Sequence, residues 1–173
     1  GKGVTTDKTH HLFHVIVSDV GGELQANYTV ISDTNNIIEF QNIYAAKSVS
    51  HTIRGHKTLL GRTLLNDEFT FILSEADASG NIIAGGMSRE VKNFADGSFV
   101  FPEIEFTKAG AYYYVVSEKE GNSGYGIIYD KTAYLVSVTV TDDGEGQLKA
   151  SSSIRVLGGN ASSEIRMWVC GSH

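Results

Sequence analysis

The chain has 173 residues, enough for one large domain or one and a half small ones, and 41% of them are hydrophobic, which provides for a packed core and argues against general disorder. Its formal charge is −6 and its 14 Lys and Arg residues are scattered, which excludes the clustered positive surface that nucleic acid requires. No apolar run approaches the roughly 18 residues needed to span a membrane, and no leader-type segment opens the sequence, so it reads as a mature chain or an excised fragment.

In chain order, residues 7–26 (DKTHHLFHVIVSDVGGELQA) place Phe13, Val15 and Val17 at alternate positions. In IIEFQNIYAA (37–46), Ile38, Phe40, Asn42 and Tyr44 share one face if the segment is extended. The stretch Ala45 to Ser50 is short and polar and reads as a join. Lys57 has the parity of Ile53 and Leu59 and opens the run KTLLGRTL (57–64). EFTFILS (68–74) is a strand with Phe69, Phe71 and Leu73 on one face. SFVFPEIEF (98–106) is interrupted by Pro102, which predicts an edge or a bend there. AYYYVVSE (111–118) and YLVSVTV (134–140) are further strands, and Glu118 shares the parity of Tyr112, Tyr114 and Val116. Turn signals at Ser79-Gly80-Asn81, Asp96-Gly97, Lys108-Ala109-Gly110 and Asp142-Asp143-Gly144 separate the runs. No segment sustains a helical period, and many short strands with regular turns predict a β-sandwich.

An internal repeat organises the chain. Residues 7–26 match 130–150 (DKTAYLVSVTVTDDGEGQLKA), with Asp7-Lys8-Thr9 on Asp130-Lys131-Thr132 and Phe13, Val15 and Val17 on Val136, Val138 and Val140. Leu24 and Ala26 fall on Leu148 and Ala150 after one inserted residue. The expected organisation is the closing half of one repeat, or swapped-in closing strands, over residues 1–46. A nearly whole second repeat follows over 51–170, a usual domain length.

The runs KTLLGRTL, EFTFIL, DGSFVFPEIEFTKAGAYYYVVSE and GIIYDKTAYLVSVTVTDDGEGQLKA, in this order, resemble the streptococcal pilin isopeptide-linkage domain, and IIEFQNIYAA resembles that family's closing strand. The resemblance implies an all-β, Ig-like, collagen-adhesin B-type sandwich with Greek-key topology. It also implies an amide bond between a Lys of the first strand and an Asn of the last, assisted by an acid. Carried onto this sequence, the acid is Glu118, the amine is Lys57 and the Asn is Asn42.

The residues themselves allow that chemistry. Each of the three polar groups is in register with large apolar neighbours, and burial disfavours the charged forms of Lys and Glu. A neutral Lys amine can attack the Asn side-chain carbonyl while Glu shuttles protons, which releases ammonia and leaves an uncharged amide. The event occurs once per molecule, so the chain is not an enzyme in the turnover sense. The sequence departs from the family order, because Asn42 precedes Lys57 and belongs to the earlier repeat. Residues 164–169 (EIRMWV), where the second repeat should close, contain no Asn or Asp, and Asn160 sits in a Gly-Gly-Asn turn. A bond within the chain, a bond between chains and no bond at all stay open.

The implied role is a structural stalk or backbone module of a cell-wall-anchored pilus or adhesin on a Gram-positive surface, with neighbouring repeats or subunits as partners. The alternative is an adhesive module that binds a host matrix protein or glycan, which an exposed aromatic cluster near Tyr125 and Tyr129 would favour. No cofactor and no metal site is expected. His10 and His14 lie two pleats apart while His11 points the other way, at the position of Tyr134. The acidic run Asp142-Asp143-Gly144-Glu145 lacks calcium-loop spacing. The lone Cys170 excludes an intrachain disulfide. Asn27-Tyr28-Thr29 and Asn160-Ala161-Ser162 are glycosylation sequons only in a eukaryotic secretory host.

Overall fold

A computed structural model describes residues 2–32, 35–121, 126–158 and 165–170, the last of these as backbone. The described residues contain thirteen β-strands and no helix. The chain divides into two compact units, Gly1–Ala45 and Ala46–His173.

In the first unit, β1 (Val4–Thr5) pairs with β4 (Ile43–Tyr44), and β2 (Phe13–Val20) forms an antiparallel hairpin with β3 (Glu23–Val30). Gly21 and Gly22 turn the hairpin, both in the left-handed region that favours glycine. Val30 is its one buried hydrophobic residue among those described.

The second unit is the sandwich. One sheet has the order β12 (Leu148–Gly158), β11 (Ala133–Asp142), β10 (Gly110–Glu118), β6 (Thr70–Ala76), β7 (Ser88–Lys92). The other places β5 (Val49–Lys57) between β13 (Ile165–Cys170) and β8 (Ser98–Val100), and β9 (Ile104–Phe106) also pairs with β5. All these strand pairings are antiparallel. The chain changes sheets between β5 and β6, β7 and β8, and β9 and β10, so connections cross the core and give the Greek-key character. Pro102 breaks what would be one strand into β8 and β9, as its lack of a donor requires.

Alternation fills the core. Phe71 and Leu73 of β6, Tyr114 and Val116 of β10, and Val136, Val138 and Val140 of β11 all point inward. From the facing sheet come Ile53, Phe99 and Phe106. Phe99 stacks on Phe71 with ring centroids 3.7 Å apart and meets Phe101 edge-on at 5.9 Å. Gly55 makes room for this, since a Cβ there would lie 2.1 Å from the Phe99 ring. A half-buried cross-sheet contact joins His51 Nε2 of β5 to the Ser152 hydroxyl of β12 at 2.8 Å.

Candidate functional site

β5 buries alternate residues, His51, Ile53, Gly55 and Lys57, so Lys57 continues the inward face of its strand. It is the last residue of β5 and not the first of a following strand, as the sequence suggested; its N–H donates to the Gly97 carbonyl at 2.8 Å. Gly97 turns at φ 90°, and a Cβ on it would lie 2.2 Å from the Lys57 carbonyl oxygen. This turn therefore fixes where β5 ends and where its last side chain projects.

Glu118 ends β10 on the inward parity read from the sequence, opposite Phe71 of β6. Its Oε2 lies 2.9 Å from Lys57 Nζ, and the two side chains are 0% and 1% exposed. Lys57 Nζ also stands 4.8 Å from the centroid of the Phe69 ring, which Tyr129 meets edge-on at 5.9 Å. Glu118 Oε2 accepts a second hydrogen bond, from the Asp130 N–H at 3.0 Å. Glu118 Oε1 is buried with no hydrogen-bond partner among the described residues. Burial raises the Glu118 pKa above the ordinary carboxylate range, against the opposing pull of Lys57 and the Asp130 N–H.

Asp130 is fixed by a tight local turn: its Oδ1 accepts from the Thr132 N–H at 2.8 Å and the Thr132 hydroxyl at 2.6 Å. The floor beneath Phe69 is held by Asn93, which is fully buried. Asn93 accepts from the Phe69 N–H at 2.7 Å and donates to the carbonyls of Leu65 at 2.8 Å and Phe94 at 2.9 Å. Asn93 and the Asp130 N–H escaped the sequence reading. The DKT repeat pointed at Asp130 without revealing what its main chain does.

Asn42 lies in the first unit, beside the repeat's other DKT turn. Asp7 Oδ1 accepts from Thr9 as Asp130 does from Thr132. The Asp7 N–H donates to Asn42 Oδ1 at 3.0 Å. The Asp7 carboxylate, which also accepts from the Gln41 N–H, is lowered to about 2 chiefly by that bond. Thus the same backbone donor holds Glu118 in one repeat and Asn42 in the other. The structure brings Lys57 and Glu118 together; Asn42 is in the unit that precedes them.

The strand opposite Lys57 is β13, with Ile165 in register against it. Asn160 and Tyr125 lie outside the described residues. Tyr129 is half-buried and meets Phe69 edge-on. His11 is half-buried, meets Phe40 edge-on at 4.9 Å and bonds the Glu39 carbonyl, which fits its alignment with an aromatic. Among the described residues no three His, Cys, Asp or Glu side chains gather as a metal site.

A family model described as FctA, a Spy0128-like isopeptide containing domain, matches residues 53–165, well over half of the chain. No curated protein matches it.

Proposed function

The chain belongs to the Spy0128-like isopeptide-containing family of pilin-type surface domains, and from that premise we propose that it is a load-bearing stalk module of a Gram-positive pilus or adhesin, hardened by a Lys–Asn amide. In this reading Lys57 is the amine, Glu118 the proton shuttle and Asn42 the carbonyl acceptor. The observation that carries it is the buried Lys57–Glu118 pair. Two opposite charges out of water are a poor source of stability, because desolvation offsets their attraction. A pair so placed is better accounted for by chemistry that needs it.

Proton transfer from Lys57 to Glu118 yields a neutral amine and a neutral acid, the combination that burial favours. The amine nitrogen bonds to Cγ of Asn42, Glu118 returns its proton to Nδ2 as the Cγ–Nδ2 bond breaks, and the carboxylate so formed takes up the second proton of the attacking nitrogen, so that ammonia leaves and a neutral amide remains. The unpartnered Oε1 of Glu118 is suited to donate to the acceptor's amide oxygen and stabilise the charge that grows there. Placement of Asn42 Oδ1 on the Asp7 N–H supports its role, because the equivalent donor in the second unit holds Glu118. The product is a cross-link that no reductant opens, in a chain with a single Cys.

Intact mass of the full chain tests this. A chain lighter by one ammonia, with a Lys57–Asn42 branched peptide after digestion, is expected within one molecule, and an SDS-resistant oligomer carrying the same branch indicates joining between molecules. Glu118→Ala and Asn42→Ala should each restore the unmodified mass. An unmodified, fully monomeric wild-type chain refutes the cross-link.

A further inference from the structure

The hairpin of the first unit presents core residues to solvent. Phe13, Val15 and Val17 of β2 are 52%, 47% and 59% exposed and Leu24 of β3 is 77% exposed, while their repeat equivalents Val136, Val138, Val140 and Leu148 are 0%, 0%, 2% and 3% exposed. The cross-strand pairs Val15–Tyr28 and Val17–Ala26 put these side chains on one face, which ends at Asp19, while the other face mixes Ile16 and Val20 with His14, Ser18, Gln25 and Asn27. Burial of the equivalent side chains in the second unit marks the first of these as the face specified for burial. An apolar groove of about 320 Å³ runs over it, lined by Phe13, Val15, Ala26, Tyr28 and Ile38 among others. Among the described residues β2 has β3 as its strand neighbour on one side and no strand on the other.

The second unit contains the same hairpin with its cover in place. There β11 and β12 correspond to β2 and β3, and the far edge of β11 carries β10, with Tyr114 opposite Val136 and Tyr112 opposite Val138. β10 has no charged residue before Glu118, so its like can lie beside Asp19 without repulsion. A second copy of the β2–β3 hairpin docked by the same face would instead bring a further Asp19 carboxylate to it.

We propose that the open edge and bare face of β2 dock a β10-type strand from the opening half of another repeat of this kind: an extended segment with large apolar side chains at alternate positions and a carboxylate at its end. The mode is strand addition, in which main-chain hydrogen bonds supply affinity and the alternate side chains supply specificity. Docked in the β10–β11 register, the terminal carboxylate arrives at the DKT turn, next to Asn42. That last placement deepens the cross-linking reading and rests on it; the docking itself does not.

The probe is a labelled synthetic peptide with the sequence of residues 108–121, titrated into the full chain. Saturable binding is expected, with slowed amide hydrogen exchange in 13–20. Val15→Glu, a change at an exposed position, should weaken binding at least tenfold and leave the melting of the second unit unchanged. A peptide with Ser at the positions of Tyr112, Tyr114 and Val116 should not bind. Asn42→Ala should bind as the parent does, so loss of the cross-link and loss of docking are read separately. No slowing of exchange in β2 overturns the proposal. So does peptide-independent protection of β2 that rises with chain concentration, because the occupant is then a second copy of this chain.

Discussion

Removing the Glu118 carboxylate should destabilise the second unit more than removing both charges. The comparison is made on an Asn42→Ala background, so that no cross-link contributes. Lys57 Nζ is 2.9 Å from Glu118 Oε2 and both side chains are essentially out of water. Glu118→Ala leaves a buried ammonium facing the Phe69 ring at 4.8 Å. Breaking one partner of such a pair costs about 3–5 kcal/mol, and the ring returns roughly 1 kcal/mol. The expected net loss is about 3 kcal/mol, a fall in Tm on the order of 10 °C for a unit of this size. Lys57→Met with Glu118→Leu removes both charges at similar volume and should be neutral or stabilising by about 1–4 kcal/mol. Denaturant unfolding followed by circular dichroism measures both. A Glu118→Ala loss below about 1 kcal/mol, or a double variant as unstable as the single one, refutes the buried-pair argument.

The pH dependence gives an independent reading. Folding raises the Glu118 pKa, so the folded chain holds that proton more tightly than the unfolded chain. Its contribution to stability is fully present below the ordinary carboxylate value of about 4.3 and is lost as pH rises through the raised folded value. Glu118→Gln should remove that downward slope.

His51 behaves in the opposite sense. Burial lowers its pKa, so its contribution is present above the ordinary value of about 6.5 and is lost as pH falls below it, by about 1.4 kcal/mol for each pKa unit of depression. His51→Gln should flatten stability between pH 7 and 5, measured by denaturant midpoints. Asn93→Ala strands the buried Phe69 N–H and takes a donor from the Leu65 carbonyl, and should lower stability by about 1–3 kcal/mol in the same assay. Gly55→Ala should cost at least about 1–3 kcal/mol by forcing Phe99 off its stack with Phe71, and adding Phe99→Leu should recover part of that in a thermal melt.

What the sequence disclosed was set by how local each signal is. Strand parity placed Lys57 and Glu118 on inward faces because a pleat alternates whatever the tertiary context. The DKT repeat linked 7–26 to 130–150, and the two turns share the same side-chain hydrogen bonds. β7, by contrast, reads SREVK, with little apolar alternation, because it lies at a sheet edge and buries little. Asn93 resembles any turn asparagine until Leu65 and Phe69, distant in sequence, are folded around it. Gly55 owes its identity to the Phe99 ring, and nothing local predicts that contact.

The two oxygens of Glu118 are not equivalent, and that asymmetry bears on how the residue could act. Oε2 accepts from Lys57 Nζ and from the Asp130 main chain, both of which favour negative charge on it. Oε1 is buried with no hydrogen-bond partner among the described residues, so it gains most from carrying a proton. In the proposed reaction a proton taken from Lys57 passes to Glu118 through Oε2 and is best carried on Oε1. From there it can be given to a new partner while Oε2 keeps the amine in place. The Asp130 N–H is what separates these duties, and the Asp130–Thr132 turn is what aims it. In the first repeat the equivalent N–H, on Asp7, holds Asn42 Oδ1, so the turn orients both the proposed shuttle and the proposed acceptor. In the proposed reaction that common use accounts for the presence of a DKT turn in both units, one beside each proposed partner.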